Sequence, residues 1–269
     1  MPEERLRAGM RLVSERYQVR WDPDGVLARE GFLAGDDDRR AAELDRCLRD
    51  PDVRAIFVAR GGYGIMRILE RLDAAALRAD PKWIVGFSDA TALLSWALAR
   101  AGVCGLHGPV VTQLGELPAG DAEALFATLE DPTATPALSS LQPVGAPGGP
   151  IEGHLVGGNL ALVAHLAATP YLPPLAGSVL LLEDVGERPY AVDRYLTGLH
   201  LAGALDGVRG VLLGDFTGCE ETKGPPDPDV WAVLDERLTR FGIPGRRGAP
   251  VGHGARNLSL VIGQSIRLG

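Results

Sequence analysis

The chain is short of the residues that would commit it to several large classes of protein. It has three cysteines in 269 residues, at 47, 104 and 219, and their spacing fits no metal-binding pattern. An odd, scattered set of thiols offers no disulfide framework and suits a reducing cytoplasm. No apolar run reaches the roughly 20 residues that a membrane span requires. The opening Met1-Pro2-Glu3-Glu4-Arg5 is charged and starts no leader-like apolar stretch, so no signal peptide is expected. Lysine is nearly absent, since all but two of the 27 basic residues are Arg. Against 35 acidic residues this leaves a formal net charge of −8, which gives a nucleic-acid role no electrostatic support. No H-E-x-x-H, G-x-G-x-x-G or P-loop pattern occurs, and no Cys stands at a strand-to-helix turn. Metal, dinucleotide and Cys-nucleophile chemistry therefore have no foothold, and neither a cofactor nor a metal is expected.

What the chain does have is a 46% hydrophobic composition, with 35 Gly and 20 Pro spread along it. That is enough to bury a core in one or two domains. Short β-branched runs alternate with amphipathic stretches, the pattern of an α/β protein. Helices are expected over 3–16, from an Asp36-Asp37-Asp38 cap to about 49, from the 60–64 turn to about 77, and over 89–101, 158–168, 192–205 and 227–241. Strands are expected at 17–21, 53–59, 83–85, 103–111, 178–182 and 208–213, and over 258–268 with a break at Gly263. Between Pro132 and Pro150 the chain turns to Pro, Gly, Ser and Ala, the best domain boundary in it. The expectation is two α/β domains: 1–135, a linker over 136–152, and 153–269.

The sharpest local feature is Val85-Gly86-Phe87-Ser88-Asp89-Ala90, a strand running into a turn and then a helix. A serine there projects its hydroxyl from the carboxyl end of a strand, and small residues two before and two after it keep the turn free of clashes. This is the logic of a nucleophile elbow, without its usual second glycine. The competing reading is that Ser88 only caps the helix. A base would come from five histidines. His165 and His200 fall within helices, while His107 and His154 could be wall residues. His253 sits between glycines, which let the backbone approach another element closely. The orienting acid could be Glu183, Asp184 or Glu187, at the end of the apolar run Leu180-Leu181-Leu182. Arg60-Gly61-Gly62-Tyr63-Gly64 joins a strand to a helix and could form an amide nest for an anion.

Five segments in order carry a resemblance. They are Arg60–Arg67, Gly86-Phe87-Ser88-Asp89-Ala90, Gly157-Gly158-Asn159-Leu160, Leu182–Glu187 with Tyr190 and Asp193-Arg194, and Gly252-His253. Over roughly residues 30–260 the chain resembles the LD-carboxypeptidase family of serine peptidases, which includes muramoyltetrapeptide carboxypeptidases and microcin C self-immunity peptidases. The resemblance implies a Ser–Glu–His triad of Ser88, Glu183 and His253. The first domain, built on a parallel sheet, would carry the serine and the second the acid and base, so that the site forms at their interface. It further implies an oxyanion pocket from the N–H of Asp89 and of Gly61 or Gly62, and Arg60 and Arg194 as basic residues for a substrate carboxylate. The implied setting is a cytoplasmic homodimer acting on a murein-derived peptide. Two departures stand out. The opening strand ending in Ala-Pro-Ser is absent, either because the sheet lacks it, leaving an open edge or a hole, or because the start was assigned late. The stretch Asn257-Leu258-Ser259-Leu260 stands where the family tends to have Pro. The alternatives are a microcin C-type peptidase, an α/β-hydrolase esterase, and a binding module built on the glycine turns at 61–64 and 157–158.

Overall fold

Alternating apolar and amphipathic segments become two sheets with helices packed against them. A computed structural model describes residues 3–134, 136–220 and 229–269. In the first sheet, β1 (Ala55–Phe57), β2 (Trp83–Gly86) and β3 (Gly105–His107) run parallel. The second sheet has the order β10-β5-β6-β7-β8-β4. Its members are β4 (Gln142–Gly145), β5 (Ile151–Asn159), β6 (Ser178–Val185), β7 (Gly210–Thr217), β8 (Pro244–Arg247) and β10 (Ser265–Leu268). Strands β5 to β8 are parallel, and β4 and β10 close the two edges antiparallel. Strand β6 is central, and its residues Val179 to Leu182 are fully buried. An unbroken apolar run is what a parallel strand covered on both faces needs.

The two sheets are not independent. Strand β9 (Leu260–Ile262) returns from near the end of the chain to pair antiparallel with β3. The break at Gly263 sends β9 to the first sheet and β10 to the second. One apolar cluster holds Leu48, Ile84 and Trp96 together with Leu155, Leu181 and Leu212, so the interior is continuous across both sheets. Thr91, in the helix after β2, accepts the Asn159 N–H at 3.0 Å from the end of β5, and both residues are buried.

Several expected elements change. Residues 17–21 form no strand, although Tyr17, Val19 and Trp21 alternate as a strand would. Among the described residues no strand pairs with the outer edge of β1, and a cavity of about 1350 Å³ lies against it. Leu6, Met10, Val13, Ile56 and Phe57 line it together with the 17–21 segment. The glycine pair expected at a helix start ends β5 instead, with φ of +107° at Gly157 and +143° at Gly158. A side chain at Gly157 would collide with the Leu181 carbonyl on β6. The helix then starts at Leu160, capped by the Asn159 carboxamide. Strand β4 lies within the stretch taken as linker. The last long helix is Val230–Arg240, and the expected start at 227–228 lies outside the described residues, as do residues 1, 2 and 135 of the expected first domain.

Thr91→Val keeps the shape of the side chain and removes the acceptor for a buried N–H. Such an orphaned group costs about 1–3 kcal/mol. Urea unfolding should show a loss of that size, whereas a change within about 0.5 kcal/mol, typical of a neutral surface substitution, would mean that the bond joining the sheets is dispensable.

Candidate active site

Strand β2 ends at Gly86, and the chain turns so sharply that Ser88 takes φ +61°, a left-handed conformation rare outside glycine. Holding a serine there costs on the order of 1–3 kcal/mol and needs a surrounding structure that dictates it. Size restrictions do so here. A Cβ at Gly86 would stand 2.9 Å from the Ala90 Cβ and 3.0 Å from the Val58 Cβ, so both small residues of the elbow are required. A Cβ at Gly61 would stand 3.0 Å from the Ser88 Oγ, so the glycine turn lays bare backbone against the hydroxyl. The Asp89 carboxylate accepts the Ile65 N–H at 3.0 Å, clipping the turn to the elbow. Burial pushes the Asp89 carboxyl up, and the Ile65 and Gly64 amides oppose the shift.

The three candidate acids separate cleanly. Glu183, wholly buried near the end of β6, meets His253, with Oε2 2.7 Å from Nδ1. Asp184 accepts N–H groups of Ala161 and Val185 and the Asn159 carboxamide, so it braces the start of the helix after β5. Glu187 accepts the Tyr195 hydroxyl at 3.4 Å. Burial raises the Glu183 carboxyl above its ordinary range, and the hydrogen bond from His253 pulls it back. The imidazole is 18% exposed, so it reaches the surface that its acid cannot. Gly252, at φ +120°, makes the approach possible, because a Cβ there would stand 2.8 Å from Glu183 Oε2.

The loop carrying His253 is tied to the first half of the chain. Asn257 accepts the Gly252 N–H at 3.0 Å and donates to Gln113 at 2.9 Å. The fully buried Asp121 accepts Arg256 Nη2 at 2.6 Å and the Asn257 N–H at 3.2 Å. Proline at 257 would lack both the carboxamide and the N–H, so the asparagine has a structural use. The His253 ring packs 4.6 Å from that of Phe87, the residue before Ser88. Segments 95 and 70 residues apart in sequence thus converge on one place.

The remaining candidates lie as follows. Arg60, in the glycine turn, donates to the Gly61 carbonyl and covers Gly62. Arg194 stands over the Tyr190 ring at 5.3 Å on the helix Pro189–Leu201. His107 is buried beside Phe87 and held neutral by burial, its pKa brought down to about 3. His165 and His200 lie against Tyr195 and Phe241, and His154 lies on β5 beside Ser265. Sequence reasoning missed Asp121, Asn159 and Asp215. The signal for Asp215 was present, since it also follows an apolar run, Val211 to Leu213, in a strand.

Known proteins resemble this chain along most of its length. Residues 1–108 match the LD-carboxypeptidase N-terminal domain and residues 152–268 the LD-carboxypeptidase C-terminal domain. A protein of Synechocystis sp. is 39% identical over 244 residues, which is 91% of this chain and 79% of that one. The murein tetrapeptide carboxypeptidase of Pseudomonas aeruginosa is 34% identical over 89% of this chain and 80% of its own length. The crystal structure of muramoyltetrapeptide carboxypeptidase from Oxalobacter formigenes superposes with a TM-score of 0.82 at 30% identity, covering 99% of this chain and 91% of that one.

Gly252→Ala should destabilise the fold by about 1–3 kcal/mol, through strain at positive φ and the clash with Glu183. Gly177→Ala is the comparison, with a positive φ but open space around it. Denaturant melts should show the larger loss at Gly252, and equal losses would mean that contact with Glu183 is not limiting.

Proposed function

The chain belongs to the LD-carboxypeptidase family and is a carboxypeptidase hydrolase, and from that premise we propose a serine mechanism that cleaves the L,D bond to the terminal D-amino acid of murein tetrapeptide. The observation that carries this reading is the Glu183–His253 hydrogen bond, whose imidazole packs on Phe87, the residue before a serine held at positive φ on a strand-to-helix elbow. His253 takes the Ser88 proton as Oγ attacks the scissile carbonyl. Glu183 keeps Nδ1 protonated, leaving Nε2 as the base, and stabilises the imidazolium that forms. The N–H groups of Asp89 and of Gly61 or Gly62 receive the oxyanion, and the close approach of Gly61 to Ser88 supports that placement. His253 then returns its proton to the leaving amine, and a water activated by the same imidazole releases the acyl group. Arg60, with Arg194 as second candidate, neutralises the terminal carboxylate, for which a planar guanidinium fork suits better than a lysine. We place the reaction in cytoplasmic recycling of cell-wall peptides. The three uncrosslinked cysteines support a reducing compartment, and among the described residues no helix is long and apolar enough to cross a membrane.

Ser88→Ala and His253→Ala should each lower kcat on the order of 10⁵–10⁶-fold and Glu183→Ala about 10⁴-fold, with the triple variant little worse than Ser88→Ala. Glu187→Ala should lose far less, and a larger loss there than at Glu183 would overturn the choice of acid.

A serine fixed on a rigid turn accepts one direction of approach, so chirality beside the carbonyl should decide turnover. Incubation with L-Ala-D-Glu-diaminopimelate-D-Ala, followed by mass spectrometry, should show release of D-Ala, while the D,D bond of the pentapeptide survives. Amidating the terminal carboxylate should raise KM, as should Arg→Ala at the residue that binds it. Efficient pentapeptide cleavage or indifference to amidation would refute this substrate.

A further inference from the structure

Strand β7 places a second carboxylate at the same loop. The main-chain N–H of Asp215 donates to the Val251 carbonyl at 2.8 Å, and its carboxylate packs directly against Gly254, whose N–H draws the carboxyl pKa down. One residue therefore grips the chain on both sides of Gly252-His253. The fit leaves no space on either side. A Cβ at Gly254 would collide with Asp215 Oδ2 and stand 2.6 Å from its Cγ. A Cβ at Gly214 would collide with the Val251 carbonyl and stand 3.2 Å from the Glu183 Cβ. Three glycines, at 214, 252 and 254, thus let β6, β7 and the histidine loop meet at van der Waals distance. Nothing in the hydrolytic scheme above uses Asp215.

We infer that Asp215 is a positioning residue for His253: it clamps the loop that aims the imidazole, and its negative charge adds to that of Glu183 in favouring the imidazolium formed during acyl transfer. This rests on the serine mechanism proposed above. The carboxylate is half-buried, and burial pushes its pKa up, while the Gly254 N–H and the charge on His253 act the other way. The groups that bear on His253 are Glu183 and Asp184 from β6, Asp215 from β7 and His107 from β3. His107 stays neutral down to about pH 3, and Asp184, held by three N–H donors, feels the charge on His253 as Asp215 does. The role divides into a part that needs only a hydrogen-bond acceptor and a part that needs charge, and substitutions separate them. Asparagine keeps an acceptor for the Gly254 N–H and loses the charge. Alanine loses both.

The experiment follows the rate at which a fluorophosphonate probe labels Ser88 across pH, in the full-length enzyme and its variants, with circular dichroism as the check on folding. For the unsubstituted enzyme the rate should rise with pH along an acid limb to a plateau. Removing a nearby negative charge favours the neutral imidazole, so Asp215→Asn should move this acid limb to lower pH by about half a unit to one unit. Its plateau should stay within about threefold, because the clamp persists. Asp215→Ala should shift the limb likewise and lower the plateau at least about tenfold, as expected when a base is misplaced by a fraction of an ångström. Gly254→Ala, which displaces the carboxylate without touching its charge, should slow labelling. Combined with Asp215→Ala it should be no slower than Asp215→Ala alone. Labelling of the unsubstituted enzyme with an acid limb unmoved in Asp215→Asn, or additive effects of the 215 and 254 substitutions, would overturn the inference while leaving the serine mechanism intact. No labelling of Ser88 in the unsubstituted enzyme at any pH would overturn that mechanism, and this inference with it.

Discussion

A carboxylate sealed from water and hydrogen-bonded to a partly exposed imidazole is stable only if the imidazole cannot leave. Taking the Glu183 charge out of water is costly, and the 2.7 Å bond to His253 compensates only while the geometry is kept. Every other feature of the site bears on keeping it. Strand β6 holds Glu183 from the centre of the second sheet, where the backbone has least freedom. Gly252 removes the side chain that would otherwise stand between loop and acid. Asn257 and Asp121 then fix the loop from the opposite side, through elements that belong to the first half of the chain. The pair is a local interaction with non-local supports.

The same dependence explains why the two sheets share one interior. The elbow with Ser88 rises from β2 in the first sheet, and the acid and histidine come from the second and from the loop that leads back to β9. If the sheets slid by an ångström, the packing of the His253 ring on Phe87 would be lost, and with it the geometry on which the proposed mechanism depends. The continuous apolar cluster, the Thr91–Asn159 bond and the return of β9 to β3 all resist such sliding. Asn159 serves three ends at once. Its N–H meets the first sheet, its carboxamide oxygen caps a helix, and its amide nitrogen donates to Asp184. Polar groups that do several tasks at a buried seam specify one arrangement more sharply than an apolar seam of equal area.

Legibility in the sequence followed the range of the interaction. The elbow was visible at Gly86 and Ala90 because the contact between these two positions acts within five residues. The cap at Asp36 and the break at Gly263 were visible for the same reason. Strand β5 was not, since Gly157 and Gly158 resemble a helix start until β6 lies alongside and forbids a Cβ. The 17–21 segment has a strand's alternation, but alternation says nothing about a neighbour, and no strand edge pairs with it. Among the acids, position alone left Glu183, Asp184 and Glu187 open. Adjacent strand residues face opposite sides, and only the fold says which side holds His253. Asp215 was passed over although it too follows an apolar strand run, because what it packs against, Gly254, is bare backbone that no motif records.

A serine ringed by acids is an unwelcoming place for a substrate that ends in a carboxylate. Asp89, Glu183, Asp184 and Asp215 all lie on residues that frame the elbow or the histidine loop. Three of them meet main-chain N–H groups, and the fourth meets the imidazole. Fixed N–H dipoles absorb much of the field of a buried carboxylate, so the negative potential at the mouth is smaller than the count of acids suggests. What remains must be answered by a cation that the fold has not already committed to an acid. Most arginines of the first half are tied up, Arg40 and Arg67 with Asp37, Arg54 with Asp80 and Arg71 with Asp38. Arg60 is held through its Nε to a carbonyl of its own turn, and among the described residues no carboxylate pairs with it. In a chain with net charge −8, an arginine anchored by a neutral partner in the glycine turn keeps a positive charge for the carboxyl-terminal substrate proposed above.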